Sequence, residues 1–311
     1  MDARKFRCRL KLVLLVAVGC CAMACSHATP PPASTQLIYA SLPDQHAVMI
    51  FPLAADAAAI PIATIKEAQE DVPIDVGKDL LGEVSVANQN GNVRVYIEHN
   101  GEYQLVRHIE GAHTNLHHIN AMAVDQGGGL YIADAGSGHG GASIVVFAAN
   151  LTGNVLPDHI ISGPHTGLTT PTGIAIDATG RTFVADHDSG KILIFEANSH
   201  GDTPPIATID GLAQPNRVFI DSELNLYVDS GLNHTITAFI PEGPENWSRT
   251  ATITASELQD PQGMAVDASG RVAAAVPGGI IFFAAAADGP SASVQSLKGP
   301  APFNPAGILI R

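Results

Sequence analysis

Asp186-His187-Asp188 places an imidazole between two carboxylates, the side chains that an acid/base reaction would use. His113, His117 and His118 bring three nitrogen ligands or pH-sensitive groups within six residues of one another. Residues 136–142, GSGHGGA, have the glycine content of a phosphate-cradling loop. Each has a plainer reading. The Asp-His-Asp run falls in an exposed polar turn between two apolar runs, where loop polarity needs no catalytic cause. No helix is predicted beneath the histidines to align them as ligands. The glycine-rich stretch leads from strand to strand and offers an anion no helix N-terminus. Any chemistry must be sought in the elements that position these residues.

The turn carrying Asp186 belongs to a repeat. Residues 171–195 read PTGIAIDATGRTFVADHDSGKILIF, and residues 261–271, PQGMAVDASGR, match the first half almost residue for residue. Looser copies begin at Ile119 (INAMAVDQGGGLYIAD) and Pro215 (PNRVFIDSELNLYVD), and a weaker one at Pro73. Asp79, Asp125, Asp177, Asp221 and Asp267 consequently stand 46, 52, 44 and 46 residues apart. In each unit an apolar run leads into Asp-x-x-Gly, a tight turn whose carboxylate caps backbone N–H groups and whose glycine takes positive φ. Two further apolar runs and an outer segment give four short strands per unit, the organisation of a β-propeller blade of about 40–50 residues.

The ends complete each other. Residues 37–41 and 48–51 read as the second and third strands of a blade that lacks its first, and residues 305–310 as a first strand with no blade behind it. Joined, they form a sixth blade and close the ring without open edges. The predicted fold is all-β, one six-bladed β-propeller over residues 36–311. The 30 glycines, 21 prolines and only 15% charged residues agree with short strands and many turns.

In such a ring the residue before the motif glycine stands at the mouth of the central channel, giving Ile74, Asn120, Thr172, Asn216, Gln262 and Ala306 in turn. Asn120, Thr172, Asn216 and Gln262 are the candidate binding residues, with His117, His118, Asp186 and His187 as secondary candidates. Neutral hydrogen-bonders of this kind can orient a polar ligand, but they supply neither an acid/base pair nor a hard-metal cage.

The 171–195 stretch resembles an NHL repeat, in which Pro-x-Gly-hydrophobic-Ala-hydrophobic-Asp precedes Tyr/Phe-Val-Ala-Asp. The likeness is strong in the third to sixth blades and faint in the first two, and it implies a propeller without implying one activity. A more distant resemblance to the regucalcin and gluconolactonase propellers implies a metal held by an Asn in Pro-Asn-Gly and an Asp in Pro-Asp-Gly. Here Asn216 is kept, Gln262 replaces the carboxylate, and Ala306 stands where the closing blade would need its acid. The similar peptidylhydroxyglycine amidating lyases imply three zinc-binding histidines near the axis, and the matching positions hold none. No cofactor is therefore expected, Ca and Zn being the ions these two enzyme families would imply, and no catalytic residue is assigned.

The N-terminus is read separately. Arg4, Lys5, Arg7, Arg9 and Lys11 precede an apolar stretch at 12–24 that is too short to span a bilayer, the pattern of a signal peptide over residues 1–24. Ala22-Met23-Ala24-Cys25, and less well Ala17-Val18-Gly19-Cys20, resemble the lipobox of bacterial lipoproteins, with Cys25 preferred over Cys20 for lipidation; Ala22-x-Ala24 also fits ordinary signal-peptidase cleavage. Residues 25–35 read as a Pro-rich tether. Without residues 1–24 the chain keeps 11 Lys and Arg against 29 Asp and Glu, a formal charge of −18. That balance opposes nucleic-acid binding and electrostatic adhesion to anionic lipid, leaving a lipid anchor as the membrane contact. The expected protein is an exported, periplasmic or cell-surface lipoprotein, acting as a non-catalytic module for a protein, peptide or glycan partner. The alternative is a lactonase-like or amidating-lyase-like enzyme working at the central channel.

Overall fold

The computed structural model describes residues 36–56, 58–136, 141–243 and 245–311. The leader with Cys20 and Cys25, the tether, and most of the glycine-rich 136–142 stretch lie outside the described residues.

Blade 1 contains β1 (Leu37–Leu42), β2 (Ala47–Pro52) and β3 (Ala63–Lys66), with a 3-10 turn at Pro43–Gln45. Blade 2 is β4 (Pro73–Lys78), β5 (Val84–Asn88), β6 (Asn92–His99) and β7 (Glu102–Ile109). Blade 3 is β8 (Ile119–Val124), β9 (Leu130–Asp134), β10 (Ser143–Phe147) and β11 (His159–Ile161). Blade 4 is β12 (Pro171–Ile176), β13 (Thr182–Asp186), β14 (Lys191–Phe195) and β15 (Ala207–Ile209). Blade 5 is β16 (Pro215–Ile220), β17 (Leu226–Ser230), β18 (Thr235–Pro241) and β19 (Trp247–Thr254). Blade 6 is β20 (Gly263–Val266), β21 (Val272–Val276) and β22 (Gly279–Phe283), then, after β23 (Gly289–Pro290), β24 (Gln295–Leu297). β23 leaves its own blade and pairs in parallel with β19, covering the outer edge of blade 5.

The last strand, β25 (Ile308–Ile310), returns to blade 1 and pairs antiparallel with β1, setting Ile38 opposite Ile310 and Ala40 opposite Ile308. The Ser41 hydroxyl reinforces the joint, accepting from the Gly307 amide at 2.7 Å. The fold is the six-bladed propeller read from the repeats, with the ring closed by the C-terminal strand.

Sequence pattern follows position in the blade. Middle strands are covered on both faces by neighbouring blades, so they are near-continuous apolar runs; TFVAD of β13 and VAAAV of β21 are buried at every residue. The outer β7, EYQLVRHI, is largely exposed. Six apolar clusters fill the six blade-to-blade interfaces. One packs Phe51 and Ile38 of blade 1 on Phe282 and Ala273 of blade 6, and another packs Phe183 and Ile194 of blade 4 on Val218 and Phe239 of blade 5. Each fully buried side chain of this size contributes about 1.5–3 kcal/mol, and the stability is spread round the ring.

The innermost strands β4, β8, β12, β16, β20 and β25 run from what we call the upper face to the lower face, where the Asp-x-x-Gly turns lie. Asp177 shows their construction: one carboxylate oxygen accepts the Thr179 and Arg181 amides at 2.8 and 3.0 Å, and the other accepts Arg181 Nε at 2.7 Å. Asp267, Ser269 and Arg271 repeat the arrangement in blade 6. Gly82, Gly128, Gly180 and Gly270 have φ between 82° and 91°. Blade 5 departs from the motif, putting Leu224 at φ 66° in the same place.

Candidate functional site

At the upper mouth of the channel, the polar residues read from the sequence tie each blade to the next. Asn120 Nδ2 donates to the Pro171 carbonyl at 2.8 Å, Thr172 Oγ1 to the Pro215 carbonyl at 3.2 Å, and Asn216 Nδ2 to the Pro261 carbonyl at 2.8 Å. Each acceptor is the motif proline of the following blade. One side-chain N–H of each of Asn120 and Asn216 is thereby committed to the ring. Gln262 breaks the series, its Nε2 reaching only the Asp260 carbonyl at 3.3 Å, and Ile74 and Ala306 carry no donor.

One residue further along each innermost strand, at the motif-glycine position, stand Asp75, Ala121, Gly173, Arg217, Gly263 and Gly307. This layer is tight: a Cβ on Gly263 would lie 2.2 Å from the Ala306 carbonyl oxygen, and one on Gly173 2.6 Å from that of Asn216. The two charged members belong to blades 2 and 5, directly opposite each other across six blades. Arg217 extends into the axis. Its Nε donates to the Gln262 carbonyl at 2.6 Å, its Nη1 to the Asn120 and Thr172 carbonyls at 2.9 and 3.1 Å, and Nη1 lies 3.7 Å from Asp75 Oδ2. Asp75 Oδ2 also accepts the Met122 amide at 3.0 Å. One guanidinium thus joins five of the six blades. Burial raises the Asp75 pKa, and the Arg217 charge opposes the rise. The mouth-ring reading missed this pair, although both residues stand out in the repeat alignment as charges in place of glycine.

A second carboxylate supports the latch from behind. Asp229 is fully buried, and its Oδ1 accepts the Asn216 and Arg217 amides at 3.2 and 2.8 Å. Its Oδ2 has no hydrogen-bond partner. Burial pushes its pKa up to about 7 against the opposing Arg217 contacts.

The secondary candidates do not converge. Asp186, read as part of an exposed turn, is instead fully buried: Oδ2 accepts the Thr169 and Thr170 amides at 2.7 and 3.0 Å, and Oδ1 accepts the Ser189 amide and the Thr169 hydroxyl. Its invariant-looking place in FVAD is explained by this, because the carboxylate shapes the loop leading into β12. Asp134 does the same for the loop into β8, accepting the His117 and His118 amides at 2.8 and 3.2 Å. His187 sits beside exposed Asp188, Nδ1 to Oδ1 2.7 Å. His113 and His117 are exposed loop side chains, and His118 contacts Gln89, Nε2 to Nε2 3.3 Å.

Among the described residues no group of three His, Cys, Asp or Glu is arranged to hold a cation. The donor set at the axis does not fit Ca or Zn either. Asn216 presents its amide donor to a carbonyl, and the Arg217 guanidinium occupies the space where the cation's positive charge would have to sit.

Two cavities flank the latch. The upper one, about 430 Å³, opens where the ring of ties is interrupted: Ile74, Gln262 and Ala306 meet Val72, Gln89, Pro43, Asp44, Pro277, Asn304 and Pro305. Asp44 arrives on the 3-10 turn, and its Oδ2 accepts Asn304 Nδ2 at 3.1 Å. Apolar and proline walls with a few amides and one carboxylate suit a small polar ligand with a carbon skeleton. The lower cavity, about 130 Å³, is the channel itself from Arg217 and Asp75 to Lys78 and Arg311.

The chain shares its fold with several solved structures. The periplasmic gluconolactonase of Pseudomonas aeruginosa aligns with a TM-score of 0.61 at 12% identity, covering 88% of this chain and 98% of that one. A putative 6-phosphogluconolactonase of Bacteroides fragilis aligns at 0.60 and 13% identity, covering 89% and 98%. A functionally unknown protein of Desulfotomaculum acetoxidans aligns at 0.63 and 10% identity, covering 88% and 98%. At these identities the likeness is one of fold, and the class it defines is the β-propeller, with gluconolactonase-like members among the neighbours. No protein-family model and no curated protein sequence matches the chain.

Proposed function

We propose that this is a lactonase-like propeller hydrolase whose upper pocket receives a sugar lactone or a closely related polyhydroxylated ester, on blades we read as NHL-type. The carrying observation is the pocket beside the mouth, where the self-satisfied ring of Asn120, Thr172 and Asn216 gives way and Asp44, Gln89, Gln262 and Asn304 present polar groups over an apolar floor. The alignment with gluconolactonase structures over nearly the whole propeller supports the same reading. In the proposed reaction one water adds to the lactone carbonyl and the ring C–O bond breaks to give the hydroxy acid. Asp44 accepts the water's proton and returns it to the leaving alkoxide, and the amide N–H groups of Gln89 or Asn304 hold the carbonyl oxygen.

The second reading is binding without turnover, of a glycan or peptide in the same pocket, by an exported and lipid-anchored protein. It is favoured by Asp44 being the only ionisable side chain lining that pocket and being exposed. Glucono-lactone hydrolysis followed against the spontaneous rate separates the two. Catalysis by the unaltered protein, reduced at least about 100-fold in Asp44→Asn, supports the hydrolase. Saturable binding of lactone or gluconate with no rate above background leaves the binding module.

A further inference from the structure

We propose that the upper pocket selects by charge, taking an uncharged polyhydroxylated ring and turning away its phosphorylated or carboxylated relatives. The inference deepens the reading of that pocket as the ligand site and rests on it. The gluconolactonase and 6-phosphogluconolactonase propellers to which the chain is similar are named for lactones that differ by a phosphate group. Among the described residues lining this pocket, Asp44 is the ionisable side chain, and it is exposed to whatever enters. The other polar lining groups, Gln89, Gln262 and Asn304, are neutral amides, and neither lysine nor arginine stands among them to offset a second negative charge.

The cations of the surrounding blades are committed or distant. Val72, which lines the pocket, follows Asp71, and the Asp71 carboxylate holds Arg94 Nε at 2.7 Å. Arg217 donates to the Gln262 carbonyl and faces Asp75 at 3.7 Å. Lys66 ends β3 and Lys298 follows β24, the outermost strands of blades 1 and 6. Three strand spacings, roughly 14 Å, separate such positions from the innermost strands, beyond the Debye length of about 8 Å at physiological ionic strength. A phosphate or carboxylate beside Asp44 is therefore repelled and finds no counter-ion, whereas hydroxyl groups meet amide donors and acceptors over apolar walls. The same rule acts on the product of the proposed reaction. Opening a lactone turns a neutral ring into a hydroxy acid that is ionised at neutral pH, and the new carboxylate next to Asp44 favours its own departure.

Calorimetric titration of the whole chain tests this with 1,5-anhydroglucitol, a pyranose ring without the scissile carbonyl, with its 6-phosphate, and with gluconate. Because His118 touches Gln89, the titrations are run at about pH 8, above the ordinary imidazole range. The neutral ring is expected to saturate a single site, and both anions to bind at least about tenfold more weakly. Raising the salt to about 0.5 M, or the substitution Asp44→Asn, should shrink that gap to about threefold or less. The salt arm uses the unaltered protein, so the outcome does not hang on how the variant folds. Equal or tighter binding of the phosphate, a gap that neither salt nor Asp44→Asn changes, or no saturable binding of the neutral ring would each overturn the proposal. Selective binding without lactone hydrolysis would retire the hydrolase reading and leave charge selection standing; hydrolysis with equal binding of the phosphate would do the reverse.

Discussion

Blades 4 and 6 keep the repeat motif at both the turn and the channel, whereas blades 2 and 5 break it at the same channel position and in opposite senses. Where glycine is kept, as at Gly173 and Gly263, a neighbouring innermost strand approaches so closely that no side chain fits. Ala121 replaces it in blade 3, and where a charge replaces it the residues are Asp75 and Arg217, an acid and a base on opposite sides of the axis. The small residues Ala121, Gly173, Gly263 and Gly307 leave the axis free for a guanidinium that satisfies carbonyls on three blades. Conformity to the repeat builds the ring, and the departures decide what happens in its centre.

The sharpest way to break the comparison is to remove one member of the latch. Arg217→Ala leaves Asp75 without its counter-ion and strips donors from the Gln262, Asn120 and Thr172 carbonyls. A loss of about 3–5 kcal/mol in urea unfolding is expected. Replacing both charges, Asp75→Gly with Arg217→Gly, restores the motif residue in each blade. The double variant should lose less than the sum of the singles, and strict additivity would mean that the two residues act independently.

A smaller effect concerns the Asp229 carboxylate of blade 5, which accepts two backbone amides on one oxygen and none on the other. With its pKa raised by burial to about 7, Asp229 holds its proton more tightly in the folded protein than in the unfolded chain, where a carboxyl ionises near about 3.9. Its contribution to stability is complete below that unfolded value and is lost as pH rises toward 7. Asp71, Asp177 and Asp267, with lowered pKa values, act in the opposite sense and mainly at more acidic pH. Unfolding measured at pH 4 and pH 7 should show Asp229→Asn removing about 1–3 kcal/mol of the difference between the two conditions. An unchanged pH profile would show that Asp229 is ionised throughout.

The smallest effect concerns the lower turns. Leu224 holds the left-handed conformation that glycine holds in the four other Asp-x-x-Gly turns. Leu224→Gly should raise stability by about 0.5–1 kcal/mol, because relief of the strained φ outweighs the added freedom of the unfolded chain. A loss would mean that the leucine side chain contributes packing that its 66° φ conceals.

The blades were legible because their signals are local. Asp-x-x-Gly turns and apolar runs of four or five residues recur at a fixed spacing, and the unmatched strands at the two ends could close only on each other. The site was legible in part. The sequence puts Asn120, Thr172 and Asn216 on the innermost strands, but each donates to a carbonyl 43–51 residues away, a partner that no local pattern reveals. Asp186 resembled a loop acid because its neighbours are polar, although three-dimensional packing buries it against three backbone amides. Asp44, Gln89 and Asn304 carry no motif at all, and they share a pocket only because the ring brings blades 1, 2 and 6 together.

The order of residues alone settled the period, the turns, the closing strand and the acidity of the body, since each follows from conformational preference or charge carried within a few positions. Only the closed tertiary structure decided that positions 75 and 217 face each other across an axis. It likewise decided that a polar ring is engaged in holding blades together. Those outcomes are set by distances between strands far apart in the chain, where a carbonyl or a counter-ion becomes a partner only once six sheets have packed into a circle.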